Sequence, residues 1–142
     1  MALETKLVWN GLIISKEMDR AIERALIRGT NRVQADAKRI LTDEKHVDTG
    51  VLRGSIVTAI DSSDNTGTVS TNIEYAPYIE FGTGIEAEGG LGRKTPWTYF
   101  SEKYGWVTTS GHQPYPFMRP ARDNNKDTIK KMFISELKKV TE

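Results

Sequence analysis

Apolar positions recur with a helical period through the first third of the chain. Met18, Ile22, Ala25, Leu26, Val33, Ala37, Ile40 and Leu41 fall at spacings of three and four. That spacing gathers side chains on one face of an α-helix. It predicts a long helix from about Ser15 to Leu41, after a short extended or irregular lead-in over residues 1–14. Ser15 with Met18 three residues on is half a capping box, and Glu17 suits the positive end of a helix. Gly29 interrupts the stripe and weakens the helix by about 1 kcal/mol relative to Ala. It either kinks the helix or lets another element pack closely.

The period then shortens. In DTGVLRGSI (residues 48–56), Asp48, Thr49 and Gly50 form a turn, and Leu52 and Ile56 point to a core. SIVTAID and TVSTNI are rich in β-branched residues and flank the turn cluster DSSDNTG, which predicts a hairpin. PWTYFSEKYGWVTTS predicts a second one, turning near Glu102–Gly105 with Trp106 across from the first strand. Between them, Gly82, Gly84, Gly89, Gly90 and Gly92 predict a mobile loop over about 82–94. Pro114, Pro116 and Pro120 stiffen the approach to a last helix over about 120–140. Its apolar stripe is Ile129, Phe133, Leu137 and Val140. The expected class is α+β: one antiparallel sheet of about four strands, in two hairpins, packed against a long N-terminal and a C-terminal helix. The chain is read as a single domain over residues 1–142.

Composition changes this picture little. Apolar residues are 37% of the chain and charged residues 27%, which leaves a thin core or one completed by a partner. With 20 basic and 19 acidic residues the net charge is +1, so a protein that coats nucleic acid is not expected. There is no cysteine, which excludes thiolate nucleophiles and cysteine-based metal sites. No secretory leader pattern and no long apolar run is present, so a soluble setting without membrane partners is expected. One local charge pattern stands out. Arg20, Arg24, Arg28 and Arg32 follow Lys16 at intervals of four along the predicted helix. Glu17 is within reach of Arg20 and Asp36 of Arg32, whereas Arg24 and Arg28 lack a local partner. The stripe is either a solvated face or one that meets a polyanion or a partner.

Motifs for chemistry fail on context. Gly82-Thr83-Gly84-Ile85-Glu86-Ala87 spells a dinucleotide fingerprint, but acids and more glycines follow it instead of an apolar helix. GLGRKT lacks phosphate-loop spacing. His46 and His112 have no ligand spacing around them. Glu86 and Glu88 lie in a glycine-rich loop, not the rigid cleft that a carboxylate pair needs. No catalytic residue, cofactor or metal is expected, and the protein is read as a non-enzyme.

Three motifs in order, DTGVLRGSI, YAPYIEFGTG and PYPFMRPA, resemble the tailed-phage proteins that join head to tail or complete the tail. The resemblance covers about residues 48–121, and the flanking helices fit the family's layout. It implies a structural role in virion assembly, with no catalysis and no cofactor. It also implies self-association into a ring, sixfold in long-tailed phages, with some members monomeric before assembly. The implied partners are neck, adaptor and tail proteins, with DNA passing through the ring lumen. The implied location is the neck or tail of the virion, and the host cytoplasm during assembly. In this role Tyr75, Tyr78 and Phe81 fill a packed corner or partly face a neighbour, and the arginine stripe faces DNA or an acidic partner. The rival reading is a DNA-contacting accessory protein that uses Arg20, Arg24, Arg28 and Arg32. Arg119 in FMRPA is placed to bond Glu80 in IEFG and so tie two motifs together. If it does, substituting both residues costs measurably less stability than the sum of the single substitutions; additive losses would remove the pair.

Overall fold

The computed structural model describes residues 2–4, 16–43 and 50–141. Ser15, His46, Asp48, Thr49 and most of the lead-in lie outside the described residues. The chain forms two compact units, one from Met1–Asn72 with Phe117–Glu142 and one from Ile73–Pro116.

The first unit is organised by the long helix α1, Lys16–Asp43. At about 1.5 Å per residue it runs roughly 42 Å without a break. Its buried stripe is Ala21, Ile22, Ala25, Leu26, Gly29, Thr30, Val33, Ala37 and Leu41. Gly29 does not kink the helix: a Cβ there would sit 3.2 Å from Cγ2 of Ile129, so the missing side chain is filled by a neighbouring helix. Gly50, the last residue of the expected turn and the only one of its three among the described residues, opens a short helix, α2, Gly50–Ser55, which buries Leu52 completely. Ile56 follows it into the core at 1% exposure. Fully burying such a side chain is worth about 1.5–3 kcal/mol. Gln34 Nε2 donates to the Ile56 carbonyl at 2.8 Å and ties this corner to α1.

The first hairpin is β2, Val57–Asp61, and β3, Thr66–Ser70, in the register Val57↔Ser70 to Asp61↔Thr66. Its turn is held by Asp61, whose Oδ1 accepts from the Ser63 amide, the Ser63 hydroxyl and the Asp64 amide. These bonds, the Ser63 hydroxyl first, hold the Asp61 carboxyl below its usual range. The other edge of β3 is taken by β1, Ala2–Glu4, so the order is β1-β3-β2. β2 and β3 pack on α1. Gly67 and Val69 are the buried positions of β3. A Cβ on Gly67 would fall onto the Thr30 hydroxyl, which itself donates to the Leu26 carbonyl at 2.6 Å. Strand and helix therefore approach here at glycine distance.

The expected final helix is two helices. α4, Met118–Asp123, and α5, Lys126–Thr141, are separated by Asn124 and Asn125. Pro120 lies in the first turn of α4, where its missing N–H costs nothing. Met118 and Ala121 are buried on α4, and Phe117 just before it. On α5, Ile129 and Phe133 are buried as the stripe predicts. Leu137 and Val140 are half-buried, and the third buried position is Glu136. Both helices pack on α1, and α5 runs antiparallel to it.

The second unit holds α3, Ala76–Phe81, β4, Thr83–Gly84, a tight turn at Glu88–Gly90, the hairpin β5, Trp97–Ser101, with β6, Gly105–Thr109, and β7, Gly111–His112. The class is α+β with small antiparallel strand pairs. Both hairpins form where expected, and Trp106 pairs with Phe100. The strands do not merge into one sheet of four, however. β5 and β6 pair with each other, β4 pairs with β7, and β1 takes the free edge of the first hairpin.

Candidate interaction surface

YAPYIEFGTG folds as a helix followed by a strand. Tyr75 precedes α3 and its carbonyl accepts from the amides of Tyr78 and Ile79. Pro77 sits at the start, where its fixed φ favours the first turn. Gly82 ends the helix with φ 79°, its amide bonded to the Tyr78 carbonyl at 2.9 Å. α3 buries Ala76, Ile79 and Glu80 and turns its aromatics outward. Tyr75, Tyr78 and Phe81 are 37%, 58% and 40% exposed. They are therefore not core residues: the inward positions of the helix go to Ala, Ile and Glu instead.

The glycines downstream serve backbone packing. β4 and β7 pair Thr83 with His112 and Gly84 with Gly111. Gly84 has φ 63°, and a Cβ on it would strike the Ser110 carbonyl. A Cβ on Gly92 would in turn strike the carbonyl of Gly84. The ladder is closed by the Ile85 amide donating to the Ser110 carbonyl at 3.0 Å and the His112 amide to Thr83 Oγ1 at 3.1 Å. The segment from residue 85 to residue 110 is thus held at its base by two crossing backbones. This explains Gly82-x-Gly84-x-x-Ala87 without a nucleotide, since no phosphate-facing helix begins there.

Against this base lies an apolar groove of about 840 Å³. Tyr78, Phe81, Leu91 and Trp97 are the large apolar side chains of its lining. The Arg93 guanidinium stacks on Trp97 with Cζ 5.6 Å from the ring centroid. The hairpin adjoining it presents more aromatic surface. Tyr99, Phe100, Tyr104 and Trp106 are 46%, 60%, 71% and 75% exposed. Phe100 and Trp106 meet edge to face at 5.5 Å, a favourable geometry for an aromatic pair. The sequence marks Tyr75, Tyr78 and Phe81 as interface candidates, whereas the strand spacing of the aromatics between residues 97 and 106 suits a core as well as an interface; their high exposure puts them at the surface.

The arginine stripe is placed differently. Arg24 Nε and Arg28 Nη1 each donate to Glu136 at 2.9 Å, one to each carboxylate oxygen. Lys139 Nζ approaches the same carboxylate at 3.4 Å. Arg32 Nε donates to Asn125 Oδ1 at 3.1 Å. Asn125 is buried between the helices, and its Nδ2 donates to Asp36 at 2.9 Å and to the Ala121 carbonyl at 2.6 Å. Asp36 also meets Arg39 at 2.7 Å. Burial raises the Asp36 carboxyl, but the bonds from Arg39 and Asn125 outweigh this and hold it below its usual value. The missing partners of Arg24 and Arg28 are thus supplied by α5, more than 100 residues away along the chain. Arg20 is exposed on α1. Arg119 is half-buried on α4, and Glu80 is buried on α3.

His112 stacks on Tyr115 at 6.1 Å, and its Nδ1 lies 2.9 Å from the Gln113 carbonyl. Among the described residues no cluster of His, Asp or Glu is arranged to hold a metal ion. Among them, too, no helix is long and apolar enough to cross a membrane.

Residues 14–82 match the HK97-gp10-like family model, described as "Bacteriophage HK97-gp10, putative tail-component". The match spans 69 of the 142 residues, just under half of the chain. It agrees with the resemblance to phage head–tail joining and tail proteins and contains DTGVLRGSI and most of YAPYIEFGTG. No curated protein and no solved structure matches the chain significantly.

The Glu136 clamp makes a pH prediction. The hydrogen bond from Arg24 chiefly, against burial and with help from Arg28 and Lys139, lowers the Glu136 carboxyl from its ordinary 4.5 to about 2. A folded-state value below the unfolded one means that the stabilisation is complete above about pH 4.5 and is lost as pH falls through about 2. Thermal unfolding followed by circular dichroism should show this loss. Glu136→Gln should be less stable at pH 7 and should lose less on acidification across that window. Parallel curves for the two proteins would show that Glu136 does not carry the effect.

Proposed function

We propose, from the match of residues 14–82 to a phage tail-component family, that this chain is a structural protein of a tailed-phage or prophage particle that joins head to tail or completes the tail. The coarser statement, a structural role in a phage particle, has the family's direct support. The finer one rests on the ordered motifs and on the exposed aromatic surface of the second unit. That surface is the single structural observation that carries it. Aromatics are enriched where one protein meets another, and a groove rimmed by polar groups is a usual form of such a site.

In this reading the chain works as a subunit of a ring, hexameric on assembly, at the neck or tail of the virion. It is made in the host cytoplasm and meets neck, adaptor and tail proteins there. DNA passes through the ring lumen. The role needs no catalysis and no cofactor. The rival, an accessory protein that contacts DNA through the arginine stripe, gains little from the geometry. Three of its four arginines are hydrogen-bonded to Glu136 and Asn125. Their side chains still reach solvent, Arg24 at 50% and Arg28 at 46%. They can therefore lend positive charge to a lumen without being its reading heads.

Deletion of the coding sequence from the phage should give filled heads and complete tails that stay separate under the electron microscope, with infectivity restored by the chain supplied in trans. Normal infectious particles from the deletion strain would contradict the role.

A further inference from the structure

The two ends of the α1–α5 seam are held by different means. In the first half of α5, Ile129 and Phe133 are buried, Ile129 against Gly29 of α1. Asn125, 3% exposed, adds a hydrogen-bonded network just before that helix. Over the last two turns, residues 134–141, the only buried residue is Glu136. Leu137 and Val140 are half-buried, and Ile134, Ser135, Lys138, Lys139 and Thr141 are exposed. These turns are therefore fastened to α1 chiefly through one carboxylate.

That carboxylate is hidden, but the cations that hold it are not. The Glu136 side chain is 5% exposed, whereas Lys139 is 62% exposed and the two arginines are about half in water. Lys139 also lines a shallow hollow with Lys131, Ser135 and Lys138. The surface around the clamp thus carries five cations for one buried acid. Arg24 and Arg28 each give Glu136 a single nitrogen, out of the five N–H donors that a guanidinium has. The remaining donors form the planar fork that suits phosphate as well as carboxylate. Position 136 lies on the same face of α5 as Ile129 and Phe133. A leucine there would fasten the helix with no charge to desolvate, and such a replacement is often neutral or stabilising. A carboxylate fastens it in a way that another anion can contest.

We propose that the last two turns of α5 are a strap, and that Glu136 is an internal anion with which the strap covers Arg24 and Arg28. The contact is autoinhibitory. Closed, it holds the two guanidiniums on the protein's own carboxylate. Open, it frees them for an external phosphate chain, whether polyphosphate or the backbone of a nucleic acid.

Hydrogen exchange of the purified full-length chain, read by mass spectrometry, tests the strap. Residues 134–141 should open ahead of residues 126–133. Glu136→Gln should raise that opening about tenfold, the ratio expected for losing a charge-assisted hydrogen bond, and leave residues 126–133 unchanged. Glu136→Leu should keep the strap closed. Ordinary fraying of a helix end would not separate these two variants. Binding of inorganic polyphosphate and of duplex DNA at matched low salt tests the internal anion. Asp127→Asn removes the same charge from an exposed position of α5 and serves as the control. Glu136→Gln should bind about tenfold more tightly than that control, and adding Arg24→Gln with Arg28→Gln should abolish the gain. A gain with either probe supports the contact and names the source of the phosphate. Equal opening in Glu136→Gln and Glu136→Leu, an affinity no higher than the control's with both probes, or a gain that survives loss of the arginines overturns it. None of these results touches the virion role, which the deletion strain tests.

Discussion

The seam between α1 and α5 is the constraint on which the first unit depends. The two helices can lie close because Gly29 leaves room for Ile129 and because Glu136, buried at the contact, is met by two guanidiniums. At the other end Asn125 joins Arg32, Asp36 and Ala121. A carboxylate in this position is tolerated only while its charge is answered, since an unpaired buried charge is strongly unfavourable. The arginines are thus positioned by the C-terminal helix, and the C-terminal helix by the arginines. On a further side of α1, Thr30 meets Gly67 at the same close range. One helix thereby organises both the hairpin sheet and the terminal helices.

The second unit is built by a contrary logic. It gains its order from backbone crossing backbone at Gly84, Gly92 and Gly111, and leaves most of its aromatic side chains at the surface. A chain with 37% apolar residues has few to spare. Placing Tyr78, Phe81, Leu91, Phe100, Tyr104 and Trp106 at the surface therefore leaves apolar area in water that the core could have used. The same contrast separates what the family match covers from what it does not: residues 14–82 take in α1, the first hairpin and α3, whereas the aromatic hairpin lies beyond them.

Periodicity made the regular elements legible. α1 and both hairpins begin and end within a few residues of the positions that their patterns predict, and Leu52 and Ile56 are buried as expected. The break at Asn124–Asn125 was hidden, because asparagine in a helical stretch carries no marker for a buried network made by residues about 90 positions earlier. The partner of Arg24 and Arg28 was hidden for the same reason: local spacing cannot reveal an acid on another helix. The outward turn of Tyr75, Tyr78 and Phe81 was one of two open readings, because six residues are too few for an apolar stripe to declare a face. The glycines were visible from the start, but letters alone do not distinguish a glycine that frees the chain from one that lets two backbones touch. Resemblance, rather than pattern, pointed to the phage particle.

The property that decides a structural role is the presence of this chain in that particle. Quantitative mass spectrometry of purified virions measures it most directly, with copy number referred to a capsid protein of known stoichiometry. The chain is expected in every infectious particle, at a small fixed number that is retained through density-gradient purification. Its absence from purified virions, or a copy number that varies with the washing, would contradict the structural role.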